Sequence, residues 1–134
     1  MTEFVDFPTL DRGFLPNRWL MLPAGYGRGR PHALGAVRAV PAAALAEAWA
    51  VVVAAQPRAE LLGRSPDGLQ VEAPHRTERL GFTDRISARA VPLTAETSAL
   101  AVFSRSQVGL WDLGTNRRRI MRWLGELDRV TARS

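Results

Sequence analysis

The sequence predicts a single α+β domain in which a curved antiparallel sheet of about five strands packs against two helices. Three observations support this prediction. Apolar residues recur at helical spacing in the segments 41–55 and 112–131. Between these segments, short apolar runs alternate with turn residues, as in strands joined by hairpins. The length of 134 residues suits one domain with a substantial core.

Residues 1–34 are predicted to form an irregular N-terminal arm, followed by the α+β domain at 35–134. Proline and glycine lie too close together in this arm for a long helix. The arm nevertheless contains many aromatic and large apolar side chains, which are rare in disordered tails. We therefore expect an ordered arm that lies across the domain, with a short strand near Trp19–Leu22.

The domain begins with a predicted strand at 36–40, followed by a helix. Pro41 suits the first turn of this helix, where its missing N–H group costs nothing. The helix is expected to end near Ala55, because Gln56-Pro57 disfavours further helical turns. One face of the helix is predicted to be buried and carries Leu45, Trp49, Val52 and Val53.

Four strands are predicted after this helix. A strong turn signal at 65–68, with the sequence Ser-Pro-Asp-Gly, separates the first two strands. The last strand alternates, so that Ser104 and Ser106 share one face and Arg105 lies on the other. The predicted strands are 59–63, 69–75, 85–93 and 99–108.

The chain ends in a predicted helix that starts at Asp112 or Thr115 and continues to about Thr131. Asn116 lies on the apolar face of this helix, where an unpaired amide would cost roughly 1–3 kcal/mol, so it needs a partner. Strands that follow one another after hairpin-length gaps imply an antiparallel sheet with both helices on its apolar face. The β-α-β-β-β-β-α order is that of TATA-binding-protein-like and helix-grip folds.

Composition excludes several classes of site. The chain has no cysteine, which excludes disulfides, cysteine-ligated zinc and thiol catalysis. Only His32 and His75 remain as imidazole ligands, so we expect no metal and no cofactor. All 18 basic residues are arginine, the formal net charge is +5, and the arginines are scattered except at 117–119. Because nucleic-acid binding needs a basic patch, we do not expect nucleic acid as the partner.

The sequence shows no membrane or export signal. No window approaches the roughly 20 apolar residues of a membrane-spanning helix. The first residues are acidic and no apolar stretch follows them, so we expect no signal peptide. We therefore expect a cytoplasmic protein, at most peripheral to a membrane.

The segment 100–120, which reads LAVFSRSQVGLWDLGTNRRRI, resembles the signature of the domain of unknown function 1499 family of bacterial and plant proteins. The tripeptides that begin at Pro16, Gln56 and Phe82 are similar to further positions of that family. The likeness spans roughly 16–127, with departures at Gln107, Thr83 and Thr115. This resemblance supports the limits of the fold and implies no particular activity.

A polar cluster near the end of the last strand is the main candidate site. Two interpretations are open. In the structural one, Asp112 and Asn116 hold the turn while Arg105 or Arg117 pairs with Asp84. In the functional one, arginines and the helix N-terminus converge on an anionic ligand. The candidate ligand-binding residues are Arg76, Asp84, Ser104, Arg105, Ser106, Asp112, Asn116 and Arg117.

Three functions are compatible with these residues. The leading hypothesis is a non-enzymatic binding or accessory domain for an amphiphilic or anionic ligand, held between sheet and helix or at the turn before the last helix. The alternative is an interaction module that docks on a membrane-associated complex through Trp19, Trp111 and Arg118. A hydrolase ranks third, because no nucleophile motif surrounds its candidate residues, which are Ser104 or Ser106 with His75 and with Asp84 or Asp112.

Overall fold

Two helices and six strands form the protein, in a computed structural model that describes residues 3–13, 17–76, 83–106 and 114–132. The α+β prediction is confirmed. A short 3-10 helix at Phe7–Thr9 precedes these elements. In chain order they are β1 (Arg18–Pro23), β2 (Ala33–Gly35), α1 (Ala42–Ala54), β3 (Gly63–Arg64), β4 (Gln70–Arg76), β5 (Thr83–Pro92), β6 (Ser98–Ser106) and α2 (Thr115–Ala132).

The strands form one open sheet in the order β2-β1-β6-β5-β4-β3. All neighbours are antiparallel except β1 and β2, which are parallel, so the sheet is mixed and the wholly antiparallel prediction is wrong. The first strand of the domain lies at Ala33–Gly35 and not at 36–40, where only Arg38 forms an isolated bridge, to Ser98. Gly35 permits this placement, because a Cβ there would lie 2.5 Å from the Leu100 carbonyl oxygen.

The predicted strands 69–75, 85–93 and 99–108 correspond to β4, β5 and β6, although residues 107–108 lie outside the described part of the chain. The predicted strand 59–63 is shorter in the structure. It is reduced to β3 and to an isolated bridge between Ala59 and His75. The segment therefore runs along the outer edge of β4 without forming a long strand.

Both helices cover one face of the sheet. The four residues predicted for the buried face of α1 are all buried. From α2, the fully buried side chains include Ile120, Trp123 and Leu127, and the rings of Trp123 and Trp49 lie 5.8 Å apart between centroids. The apolar periodicity therefore predicted the main contact between the two helices.

The N-terminal arm covers the opposite face. Phe7 is fully buried there against an apolar cluster that includes Leu20, Leu22 and Phe103. The Gln70 side chain anchors the arm because its Nε2 donates to the Val5 carbonyl at 2.7 Å. Of the predicted arm, Val5, Phe7 and Leu10 pack on this face, whereas its predicted short strand is β1 and belongs to the sheet itself. The sheet thus lies between two helices on one side and the arm on the other.

Among the described residues, no helix has the length and apolarity that crossing a bilayer requires.

Replacement of Phe7 tests the role of the arm in stability. Phe7→Ala should lower the free energy of unfolding by about 3–5 kcal/mol, because a fully buried aromatic ring leaves a cavity. Phe4 is 37% exposed, so Phe4→Ala should cost much less. Urea denaturation of both variants measures the difference, and equal losses would mean that the arm does not pack as described.

Candidate functional site

Strand alternation divides the predicted polar cluster between the two faces of the sheet. Ser104 faces the helices, whereas Arg105 faces the arm with Phe103. We call the first group the helix-side cluster, which consists of His75, Asp84, Ser104, Ser106, Asn116 and Arg119. We call the second group the arginine row, which consists of Arg18, Arg85 and Arg105.

Arg119 is the centre of the helix-side cluster. It is buried and forms a 2.5 Å ion pair with Asp84, which is also buried. Its Nε donates to His75 Nδ1 at 2.8 Å, and its Nη1 donates to Ser104 Oγ at 3.0 Å and to Asn116 Oδ1 at 2.8 Å. One guanidinium therefore joins β4, β5 and β6 to α2.

Asn116 has the partners that the sequence required. Its Oδ1 accepts from Ser104 Oγ at 2.6 Å, while its Nδ2 donates to Ser106 Oγ at 3.1 Å and to the Asn17 carbonyl at 3.0 Å. The backbone N–H of Ser106 donates to the same Asn17 carbonyl. The first turn of α2 is thereby attached to the end of β6 and to the residue before β1.

The prediction that Arg105 or Arg117 would pair with Asp84 is wrong. Arg105 lies on the opposite face of the sheet, and Arg117 is exposed on α2. Arg119 forms the pair instead, and sequence reasoning missed it by treating 117–119 as one basic run. The helical spacing could have identified Arg119 as a buried residue, because it lies three residues after Asn116 and four before Trp123, on the same helix face.

His75 is neutral in this environment. Burial, reinforced by the charge of Arg119, lowers its pKa from 6.5 to about 4. Its Nδ1 accepts a hydrogen bond from Arg119 Nε. The hydroxyl of Ser104 contacts Asn116 and Arg119 in the described bonds. The imidazole is therefore engaged as a structural acceptor rather than placed as a base beside the serine.

The arginine row crosses three neighbouring strands. Arg18 on β1 and Arg85 on β5 are both register partners of Arg105, which lies between them on β6. Side chains directly opposite each other in antiparallel pairs have Cβ atoms roughly 4.5–5.5 Å apart. Three like charges are therefore held side by side at one end of the sheet.

Contacts below the row fix its central member. Arg105 Nη1 donates to Ser87 Oγ at 3.1 Å, and its guanidinium lies 4.8 Å from the centroid of the Phe103 ring. Ser87 in turn donates to the fully buried Glu72 at 2.5 Å, and Gln70 Nε2 donates to the same carboxylate at 3.0 Å. Burial lowers the pKa of Arg105 from its usual value, although the charge of Glu72 opposes this shift.

A cleft of about 650 Å³ lies over the row. The buried Nε atoms of Arg18 and Arg85 have no hydrogen-bond partner among the described residues. Arg18 does donate from Nη1 to the Arg12 carbonyl at 3.0 Å. Besides the three arginines, the cleft is lined by Glu3, Phe4, Val5 and Ser106.

The remaining predicted site residues that the structure describes lie outside the helix-side cluster and the arginine row. Arg76 is exposed at the end of β4, and Arg118, like Arg117, is exposed on α2. Trp19, a predicted partner contact, is buried and stacks on His32 with centroids 6.4 Å apart. Trp111 and Asp112 lie outside the described residues.

Sequence reasoning did not identify Arg18 and Arg85 as companions of Arg105. The register of β1, β6 and β5 brings these three arginines together, and a single sequence does not reveal that register. Within the described ranges no group of three or more His, Asp or Glu side chains suits a metal ion.

Comparison with known proteins gives one match. A family model described as "Protein of unknown function (DUF1499)" matches residues 28–127, in agreement with the resemblance at 100–120. No curated protein and no solved structure matches the chain. The likeness to TATA-binding-protein-like and helix-grip folds therefore stays a prediction.

Removal of Arg119 tests the helix-side cluster. Arg119→Met should lower the free energy of unfolding by about 3–5 kcal/mol, because Asp84 remains buried without its cation. Combining it with Asp84→Leu should cost less than the sum of the two single losses. Arg117→Met is the matched control and should change stability by no more than about 0.5 kcal/mol. Equal effects of Arg119→Met and Arg117→Met in urea denaturation would contradict the assignment.

His75 should make stability depend on pH. Because its folded pKa is about 4 and its ordinary value 6.5, the unfolded chain binds a proton between these values and the folded chain does not. The free energy of unfolding should therefore fall as the pH is lowered from about 6.5 to about 4, by at most roughly 1.4 kcal/mol per unit. His75→Gln should remove this contribution. Denaturation at a series of pH values measures the free energy of unfolding of the wild-type protein and of His75→Gln. Parallel pH profiles for the two proteins would refute the contribution of His75.

Proposed function

Because the chain belongs to the DUF1499 family of proteins of unknown function, we propose its function from its own site: it is a non-enzymatic binding domain for an anionic ligand. The anionic group lies across Arg18, Arg105 and Arg85, in the cleft on the arm side of the sheet. An apolar part of the ligand lies against Phe4 and Val5, which line the same cleft.

The observation that carries this proposal is the arginine row itself. Like charges placed directly opposite each other destabilise a sheet. The buried Nε–H groups of Arg18 and Arg85 add a cost, because a buried donor without a partner loses roughly 1–3 kcal/mol. Glu72 offsets part of the charge from below, but its carboxylate already accepts from Ser87 and Gln70. A bound anion would reduce the repulsion among the three arginines and would accept hydrogen bonds from the Nε–H groups that have no partner among the described residues.

The chemistry of the row favours phosphate or carboxylate. A guanidinium presents donors in a planar fork that matches these groups in bidentate fashion. Three such forks converge on one cleft, so a group with several charged oxygens suits it best. The 37% exposed ring of Phe4 supplies apolar contact at the same place. An amphiphilic ligand with a phosphate or carboxylate group, carrying one or two negative charges, fits both the arginine row and the Phe4 ring.

Binding has more support than catalysis or docking. The helix-side residues that resembled a hydrolase bond to one another, as described above. Docking on a membrane-associated complex through Trp19, Trp111 and Arg118 has less support, because Trp19 is buried. The sequence-based expectation of a cytoplasmic location stays a prediction.

Arg85 offers the sharpest test, because no described side chain depends on it for a hydrogen bond. Arg85→Gln should weaken the binding of octyl phosphate about tenfold to one-hundredfold, the equivalent of one charge-assisted hydrogen bond of roughly 1.5–3 kcal/mol. Arg117→Gln, which removes an exposed arginine from α2, should leave the affinity unchanged. Titration calorimetry at low salt measures both. Equal affinities of the wild-type protein and Arg85→Gln would refute the site.

A further inference from the structure

A second basic cleft lies on the arm side of the sheet, beyond Arg85. It has a volume of about 380 Å³. Two arginines, Arg58 and Arg76, line it together with Thr83 and Glu60. The remaining lining residues are Ala59 and Pro74.

Arg58 is held in a strained conformation at this cleft. It is the one described residue other than glycine with a positive φ, at 63°. Such left-handed backbone is costly for a residue with a Cβ and often occurs at functional sites. Two contacts with Arg76 fix it: the Arg76 N–H donates to the Arg58 carbonyl at 3.0 Å, and Arg58 Nε donates to the Arg76 carbonyl at 3.2 Å. The backbone of Arg76 therefore holds both the backbone and the side chain of Arg58 beside β4.

The two clefts are neighbours on one face. Arg76 and Pro74 have the same strand parity as Glu72, which lies under the arm, and Thr83 has that of Arg85. Pro74, which lines the second cleft, is the direct register partner of Arg85, which lines the first. Arginines consequently follow one another from β1 through β6, β5 and β4 to the segment beside β4 that carries Arg58.

We propose that the natural ligand is a single elongated molecule with an anionic group at each end, one on the arginine row and the other on Arg58 and Arg76. This inference rests on the proposed function of the row. From β6 to the segment at Arg58 there are three inter-strand steps, so the two groups are roughly 10–15 Å apart. A spacer of that length crosses the Pro74–Arg85 pair.

The shape of the surface favours a small ligand over a polymer or a bilayer. The row is partly buried at the base of a cleft, whereas a bilayer surface is flat and is met by protruding side chains. Single-stranded nucleic acid is usually held by several exposed aromatic rings. Among the described residues that line the two clefts, Phe4 is the one aromatic side chain. A partly buried arginine row and an exposed arginine pair at a fixed separation instead suit the two ends of one molecule.

Two matched probes separate this inference from the proposed function on which it rests. Octyl phosphate carries one phosphate, and octanediol bisphosphate carries a second one at the other end of the same chain. If both clefts engage one molecule, the bisphosphate binds with a stoichiometry of one and at least tenfold more tightly, because the second contact is intramolecular. The double variant Arg58→Gln/Arg76→Gln should reduce the bisphosphate affinity to that of octyl phosphate and leave octyl phosphate binding unchanged.

Glu60→Gln provides a variant that leaves both arginines in place. Removing this carboxylate from the second cleft should raise the affinity for octanediol bisphosphate and leave the affinity for octyl phosphate unchanged. Equal affinities of the two probes, a stoichiometry of two, or no effect of the Arg58/Arg76 substitutions would overturn the two-ended ligand while the row remains a site. Failure of both probes to bind the wild-type protein would instead overturn the proposed function and this inference with it.

Discussion

The buried ion pair between Arg119 and Asp84 is the interaction on which the arrangement of the sheet end depends. Two charges removed from water are tolerated only if further hydrogen bonds satisfy them. Here His75, Ser104 and Asn116 supply these bonds, so the pair is part of a network that joins three strands to α2. The network holds the ends of β4, β5 and β6 in register, and both basic clefts are built on those ends.

The period of a β-strand explains how one short segment serves two purposes. Ser104 and Ser106 enter the network on the helix side, while Arg105 between them faces the arm. The side chains of the helix-side cluster bond to one another, whereas Arg18 and Arg85 in the row each have a buried Nε without a partner among the described residues. The buried network and the proposed binding site thus lie on opposite faces of the same strand, and a substitution on one face should leave the other largely intact.

The fold was largely predictable, because apolar periodicity reports burial directly. Leu45, Trp49 and Trp123 lie where the helical pattern indicated, and Asn116 has the buried partners that its position demanded. The parallel pairing of β1 with β2 was not predictable from hairpin-length gaps, and neither was the close approach of Gly35 to the Leu100 carbonyl oxygen of β6.

The candidate site was predictable only in part. Arg105 was identified from the polar segment that carries it. Its neighbours Arg18 and Arg85 are 87 and 20 positions away in sequence and lie beside it only because of the strand register. Composition and local periodicity do not reveal that register. The partner of Asp84 was predicted wrongly for a different reason. Arg117, Arg118 and Arg119 follow one another in sequence, and only the helical position of each residue shows that Arg119 lies on the buried face of α2 and pairs with Asp84.

The central claim is that the row's unmet guanidinium donors receive an anion, and the resonances of the Nε–H groups test it most directly. In a ¹⁵N-labelled sample titrated with octyl phosphate, the account predicts that the Nε–H signals of Arg18, Arg85 and Arg105 shift together and saturate at one equivalent. The Nε–H signal of Arg119, which already donates to His75, should not move. Shifts confined to exposed arginines such as Arg117, or a uniform small drift of all signals, would contradict the account.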